Sequence, residues 1–133
     1  GLVGGVEKNN LLKGSEGLIF PVLWNEPFGL SIVESLYFGC PVFGTPYGSL
    51  KEIIHPSVGI TSNSLSTLVD AVQNLEQFDP KICHDYVMEN FTSVQMTSAY
   101  LSKYETVLNG QQLNKIAPTL TKIQTEKFLP FLP

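Results

Sequence analysis

An α/β fold built on a parallel sheet is predicted by apolar runs that alternate with segments of helical spacing. Three stretches carry the prediction. "GLIFPVL" from Gly17 is a continuous apolar run, limited by Pro21, and reads as a buried strand. From Phe28 onward Leu30, Val33, Leu36, Tyr37 and Cys40 recur at helical spacing until Gly39 and Pro41 close the helix. "CPVFG" then reads as a second strand.

The remaining elements follow in order. "KNNLLKGSE" is a short helix ahead of the first strand. After the "TPYGS" turn, Leu50 to Ile54 makes a short helix, and "VGI" at Val58 to Ile60 is a brief third strand. Ser64 or Ser66 is suited to cap "LSTLVDAVQNLEQF", Asp79-Pro80 opens "KICHDYVMENF", and Ser93 opens "VQMTSAYLSKYETVLNG", with Gly110 beyond its end. In the tail, Ile116, Leu120, Ile123 and Phe128 would share one side of a helix after Pro118. The closing "FLPFLP" is apolar without period and is expected to dock on something.

Composition bounds the function. A chain of 133 residues with 43% hydrophobic residues is one domain with a real core. No apolar run approaches the about 20 residues of a membrane span, and no signal-peptide pattern is present, so a soluble, cytoplasmic protein is expected. The net charge of -4 comes without a long block of one sign, which argues against a nucleic-acid surface. All eight basic residues are lysines. Cys40 and Cys83 lack metal or redox spacing and read as reduced thiols. The chain begins at Gly1, already inside domain-like sequence, and is expected to be a fragment.

The densest chemistry lies in "WNEPFGLSIVESLYFGCPVFGTPYG", Trp24 to Gly48, where Glu26 and Glu34 stand with seven residues between them. Open parallel sheets bind ligands beyond the carboxyl ends of their strands, where helices begin. The "NEPFGL" turn leaves such a strand and opens the next helix. A helix start presents unpaired N–H groups and a positive dipole end, which suit a phosphate, and Gly29 lets the backbone come close. Glu34 stands further along among apolar residues, and a carboxylate in that company needs partners. A vicinal diol such as ribose supplies two hydrogen bonds, and a lysine would supply an ion pair instead. Glu26, in the turn, faces whatever hangs from the phosphate, and a sugar on a diphosphate fits. His55 reads as a solvated loop residue, Trp24, Tyr37 and Tyr47 as packing residues, and Lys51 and Glu52 as an exposed helix face.

The pattern E-P-F-G-L-x-x-x-E-x-x-x-x-G-x-P-V, Glu26 to Val42, resembles the E-x7-E signature of the retaining family 4 (group 1) glycosyltransferases, whose fold is the two-domain GT-B. "LLKGSEGLIFP" resembles the helix and strand ahead of that signature, and "GTPYGSLKEII" its following turn and acidic helix. The resemblance covers roughly Gly1 to Ile60, and the helices to Asn109 agree in order and length. It implies the second half of a Rossmann-like parallel sheet domain, the GT-B C-terminal domain, with C-terminal helices. Residues 1–110 would be a partial nucleotide-sugar-binding domain, and 111–133 a tail or helix docking on a missing domain or partner.

By the same resemblance Glu34 holds the ribose hydroxyls, and the backbone near Phe28, Gly29 and Leu30 faces the diphosphate and sugar. Glu26 is the catalytic residue on the donor-sugar hydroxyls. Gly1-Leu2-Val3 is similar to the family's G-x-V turn, which places Val3 near the base. The implied activity is hexosyl transfer from a nucleotide-diphosphate sugar with retention of configuration. No metal or other cofactor is implied, because protein cations and the helix terminus neutralise the leaving diphosphate. The chain departs from the family in having no arginine, and no lysine at the positions of the family's phosphate-binding Arg/Lys pair. The acceptor-binding N-terminal domain with its active-site histidine is missing too, and neither His55 nor His84 takes that role.

The chain alone is therefore expected to be inactive, with the N-terminal acceptor domain as its missing partner. The complete enzyme would be cytoplasmic or peripheral to a membrane. The three strands correspond to the fourth, fifth and sixth of the order 3-2-1-4-5-6, so "GLIFPVL" would become an open apolar edge. Homodimerisation through that edge or the tail is one consequence. The alternative is a non-catalytic Rossmann-like binding module that keeps the motif by ancestry.

Overall fold

The computed structural model describes residues 3–120 and 123–133. Three short strands, β1 (Leu18–Phe20), β2 (Val42–Gly44) and β3 (Gly59–Thr61), form one parallel sheet in the order β1-β2-β3. The register pairs Leu18 with Val42 and Phe20 with Gly44, then Val42 with Gly59 and Gly44 with Thr61. Parallel neighbours need crossovers. The first is α2 (Leu30–Tyr37) and the second α3 (Leu50–Ile53). Helix α1 (Gly5–Lys13) leads into β1, and α4 (Leu65–Gln73), a 3-10 turn (Leu75–Gln77), α5 (Pro80–Asn90) and α6 (Ser93–Leu108) follow β3. The predicted α/β, Rossmann-like layering is what the chain adopts.

Alternation along β2 divides the core. Val42 points into a cluster with Ile32 and Leu36 of α2, Leu50 and Ile53 of α3, and Cys83 and Val87 of α5. Phe43 points the other way, to Leu68 and Ala71 of α4 and to Phe78. β2 is buried throughout because helices cover both its faces. β1 differs from its prediction as a buried strand: Leu18 and Phe20 pack against the α2 side, but Ile19 is 61% exposed. β1 is the edge of the described sheet, and the α4 layer does not reach over Ile19.

The predicted face of α2 is corrected in part: Leu36 and Cys40 are buried and Val33 packs on the core as their spacing predicts. Its buried residues are Ile32, Ser35 and Leu36, whereas Leu30 is 73% exposed and Tyr37 is also exposed. The helix is wedged between the sheet and α5, so the 32/35/36 stripe turns inward. It ends in a Schellman closure, with the Gly39 amide on the Leu36 carbonyl and the Cys40 amide on the Ser35 carbonyl. The buried Ser35 hydroxyl donates to the Cys40 carbonyl at 3.2 Å.

The helix caps follow the sequence closely. Asp79 accepts from the Lys81 amide at 2.8 Å, with Pro80 in the first turn. Asp79→Ala is expected to cost about 1 kcal/mol in urea unfolding. Thr92, one residue before the predicted Ser93, caps α6 through the Gln95 amide. Ser64 precedes α4, but its hydroxyl meets that of Ser66 and makes no cap bond.

The tail corrects another expectation. No helix forms over the described residues after Gly110, part of the predicted stretch at 121 and 122 lies outside the described residues, and Ile116, Leu120, Ile123 and Phe128 are exposed. The closing segment docks on this chain itself, through backbone bonds. The Leu129 amide donates to the Leu23 carbonyl at 2.8 Å and the Leu132 amide to the Asn63 carbonyl at 2.6 Å. The Leu65 amide donates back to the Leu132 carbonyl at 2.8 Å, and Phe131 packs on the Phe43 cluster. Among the described residues no helix is long and apolar enough to cross a membrane.

Candidate functional site

Two loops meet at the carboxyl end of the sheet, one from β1 to α2 and one from β2 to α3. The Ser49 amide donates to the Glu26 carbonyl at 2.9 Å, and the Ser49 hydroxyl to the Phe28 carbonyl at 3.1 Å. The Gly48 amide donates to Asn25 Oδ1 at 3.2 Å, and the Thr45 hydroxyl donates to the Val22 carbonyl. The approach is too close for a side chain at residue 48. A Cβ on Gly48, which has φ +61°, would stand 2.3 Å from the Glu26 carbonyl oxygen and 2.4 Å from its amide nitrogen. The Glu26 backbone is therefore gripped, while its carboxylate joins neither of the ion pairs among the described residues.

Gly29 makes the transition into α2 with φ 84° and ψ 69°, a left-handed conformation that glycine adopts without steric cost. It offers no side-chain acceptor to the first turn of the helix. The Ile32 amide donates to the Gly29 carbonyl at 3.0 Å, and the amides ahead of it are suited to an anion, aided by the helix dipole. Phe28 and Leu30 project from either side of Gly29 and are exposed. They border an apolar cavity of about 590 Å³ whose far wall includes Phe91, Met96 and Tyr100.

Glu34 lies further along α2 and faces α1. Its Oε1 accepts from Lys8 Nζ at 2.5 Å, with the two side chains 42% and 35% exposed. The partner that a carboxylate among apolar residues requires is thus a lysine within the protein. A pair this exposed contributes at most about 1 kcal/mol to stability, and it leaves Oε2 and two ammonium hydrogens for other partners. Val3, half-buried, stands ahead of α1. Gly1 and Leu2 of the G-x-V resemblance lie outside the described residues.

Of the predicted site residues, Glu26, Phe28 and Gly29 come together in the clamped turn, Leu30 and Glu34 follow on the helix it opens, and Val3 adjoins the α1 that carries Lys8. The sequence did not single out Lys8, Asn25, Gly48 or Ser49. "TPYGS" marked a turn, but nothing local announced that it grips the Glu26 backbone. His55 Nδ1 accepts from the Ser57 amide in its own turn, and His84 Nδ1 donates to the Tyr37 carbonyl at 2.6 Å. His55 thus closes its own turn, and His84 ties α5 to the end of α2. Lys51 and Glu52 are exposed as predicted, Trp24 is exposed rather than packed, and Tyr47 donates to the Pro130 carbonyl of the tail. Cys40 and Cys83 are free and buried, and burial pushes the Cys83 thiol up to about 11, so it stays protonated at neutral pH.

The parallel sheet, with a clamped turn and an uncapped helix start at its carboxyl end, defines an α/β domain of Rossmann-like layering. The chain matches the glycosyl transferases group 1 family over residues 2–90 and belongs to that family. Sugar transfer from a sugar donor is the chemistry that membership assigns, in the context of a full-length transferase. No curated protein matches the chain.

Proposed function

We propose that this chain is the donor-binding part of a retaining, family 4 glycosyltransferase of GT-B type, transferring a hexose from a nucleotide-diphosphate sugar. In this reading residues 1–110 are the second half of the C-terminal Rossmann-like domain. The amides at Phe28, Gly29 and Leu30 receive the diphosphate and sugar, Glu26 binds donor-sugar hydroxyls, Glu34 binds the ribose, and Val3 lies near the base. No metal is required, since the start of α2 faces the leaving diphosphate. The observation that carries the proposal is the Gly48–Ser49 grip on the Glu26–Phe28 backbone, which fixes a carboxylate-bearing residue directly ahead of an uncapped helix start. An enzyme that must hold a sugar in register with its diphosphate needs that rigidity.

The open edge of β1, with Ile19 exposed, supports a further strand beside it. That strand would come from the first half of the donor domain, from an acceptor-domain partner or from a second copy of this chain. The tail after Gly110 closes on this domain through Leu129 to Leu132 and leaves α6, which has no buried residue, for a neighbour.

Steady-state kinetics of the transferase that carries this domain test the assignment. Glu34→Ala is expected to weaken donor binding by about 2 to 3 kcal/mol, seen in KM, whereas Glu26→Ala lowers kcat more because it acts on the reacting sugar. Unchanged donor kinetics in both variants would remove the assignment.

A further inference from the structure

Lys8 is a half-buried ammonium held against the carboxylate of Glu34 from another helix, 26 positions away in sequence. Only one of its three N–H groups is used by Glu34 Oε1, and Glu34 keeps its second oxygen. The contact therefore presents a donor and an acceptor side by side. A hydroxyl group is both, and a hydroxyl that donates to Glu34 lies within one contact of an ammonium already bonded to the same carboxylate.

We propose that Lys8 is a donor-specificity residue: together with Glu34 it forms a two-part clamp in which the ribose 2′-hydroxyl of the nucleotide donates to the carboxylate and accepts from the Lys8 ammonium. The inference rests on the placement of ribose at Glu34 proposed above. The clamp makes the ligand a ribonucleotide in particular, because a 2′-deoxy sugar leaves the ammonium facing a C–H group. A charged donor left without its acceptor discriminates strongly against the analogue that lacks the hydroxyl. The ion pair has a second effect: it fixes the Glu34 rotamer before the nucleotide arrives, so less side-chain ordering accompanies binding. Lys8 makes no covalent or proton-transfer contribution in this scheme.

The test is calorimetric titration of this chain with UDP, ADP and GDP, then with the 2′-deoxy form of the tightest of them, for wild type, Lys8→Met, Lys8→Arg and Glu34→Gln. Wild type is expected to prefer the ribo form. Lys8→Met, which keeps an unbranched chain one atom shorter and without charge or donors, should reduce that preference about three- to tenfold, the worth of one hydrogen bond at a half-exposed position. Lys8→Arg should retain it, because a guanidinium keeps both the ion pair and a donor for the hydroxyl. If Glu34→Gln collapses the preference while Lys8→Met leaves it intact, the role of Lys8 is overturned and ribose at Glu34 stands. An equal loss of ribo and deoxy binding in Lys8→Met also overturns the clamp, since it shows a charge acting on the diphosphate. Should Glu34→Gln change nothing, or no nucleotide bind saturably, the placement of ribose itself falls, and the inference with it.

Discussion

Gly48→Ala is expected to destabilise the domain by about 2 to 5 kcal/mol, the sum of a left-handed backbone forced on a Cβ and a steric overlap with a neighbouring loop. Gly48 has φ +61°, and an added Cβ would sit within 2.4 Å of both the Glu26 amide nitrogen and its carbonyl oxygen. Those atoms are backbone and cannot swing aside as a side-chain tip would. Relief requires the Asn25–Phe28 turn to move, which stretches the Ser49 bonds to the Glu26 and Phe28 carbonyls. On the proposed placement of the donor at this turn, donor binding should fall even where the chain remains folded. Gly110 supplies the control. It has φ +71° with nothing near its added Cβ, so Gly110→Ala isolates the backbone term of about 1 to 2 kcal/mol. Urea unfolding of both variants beside a nucleotide titration measures the difference. Equal losses for the two glycines would show that the grip on Glu26 is not a structural constraint.

The sequence made the elements legible because each strand is a short apolar run bounded by glycine or proline, and the two longest helices, α5 and α6, carry side-chain caps at their starts. Asp79-Pro80 and the Gly39-Cys-Pro41 stop show how local chemistry fixes a boundary. The register of α2 was less legible. Leu30 and Tyr37 are as apolar as Ile32 and Leu36, and only the positions of the sheet and α5 decide which stripe is buried. The helical spacing of the tail misleads for a related reason. Its apolar residues allowed a helical face, whereas the segment that does dock uses backbone bonds at Leu129 and Leu132, which leave no periodic signature.

At the site, Glu26, Gly29 and Glu34 stood out because their chemistry is local to one turn and one helix. Lys8 did not, because its significance lies in a contact between helices far apart in sequence. The same holds for the exposure of Ile19. An apolar run says that a strand seeks burial, and it does not say whether both faces find it.

Phe43→Ala should cost about 3 to 5 kcal/mol, as expected for removing a buried aromatic ring from a core. Phe43 is 1% exposed on the central strand and meets Phe78 edge-on at 5.6 Å. Typical stabilities of about 5 to 15 kcal/mol make such a loss a large fraction of the total. The surroundings decide where in the range it falls. A cavity of about 400 Å³ already lies beside Phe43, walled by Ile19, Leu68 and Phe131. Phe131 belongs to the docked tail and can shift toward the vacated space more easily than a helix can, which places the effect near the lower end. The double variant Phe43→Ala/Phe131→Ala tests this through its coupling, because removing Phe131 also removes the group that would relax into the gap. A coupling near zero would mean that the tail does not respond to the core. Donor binding under folding conditions should be retained in Phe43→Ala, since Phe43 faces the α4 side and the α2 side packs on Val42. Loss of donor binding in step with the loss of stability would show instead that the two faces of the sheet are not independent.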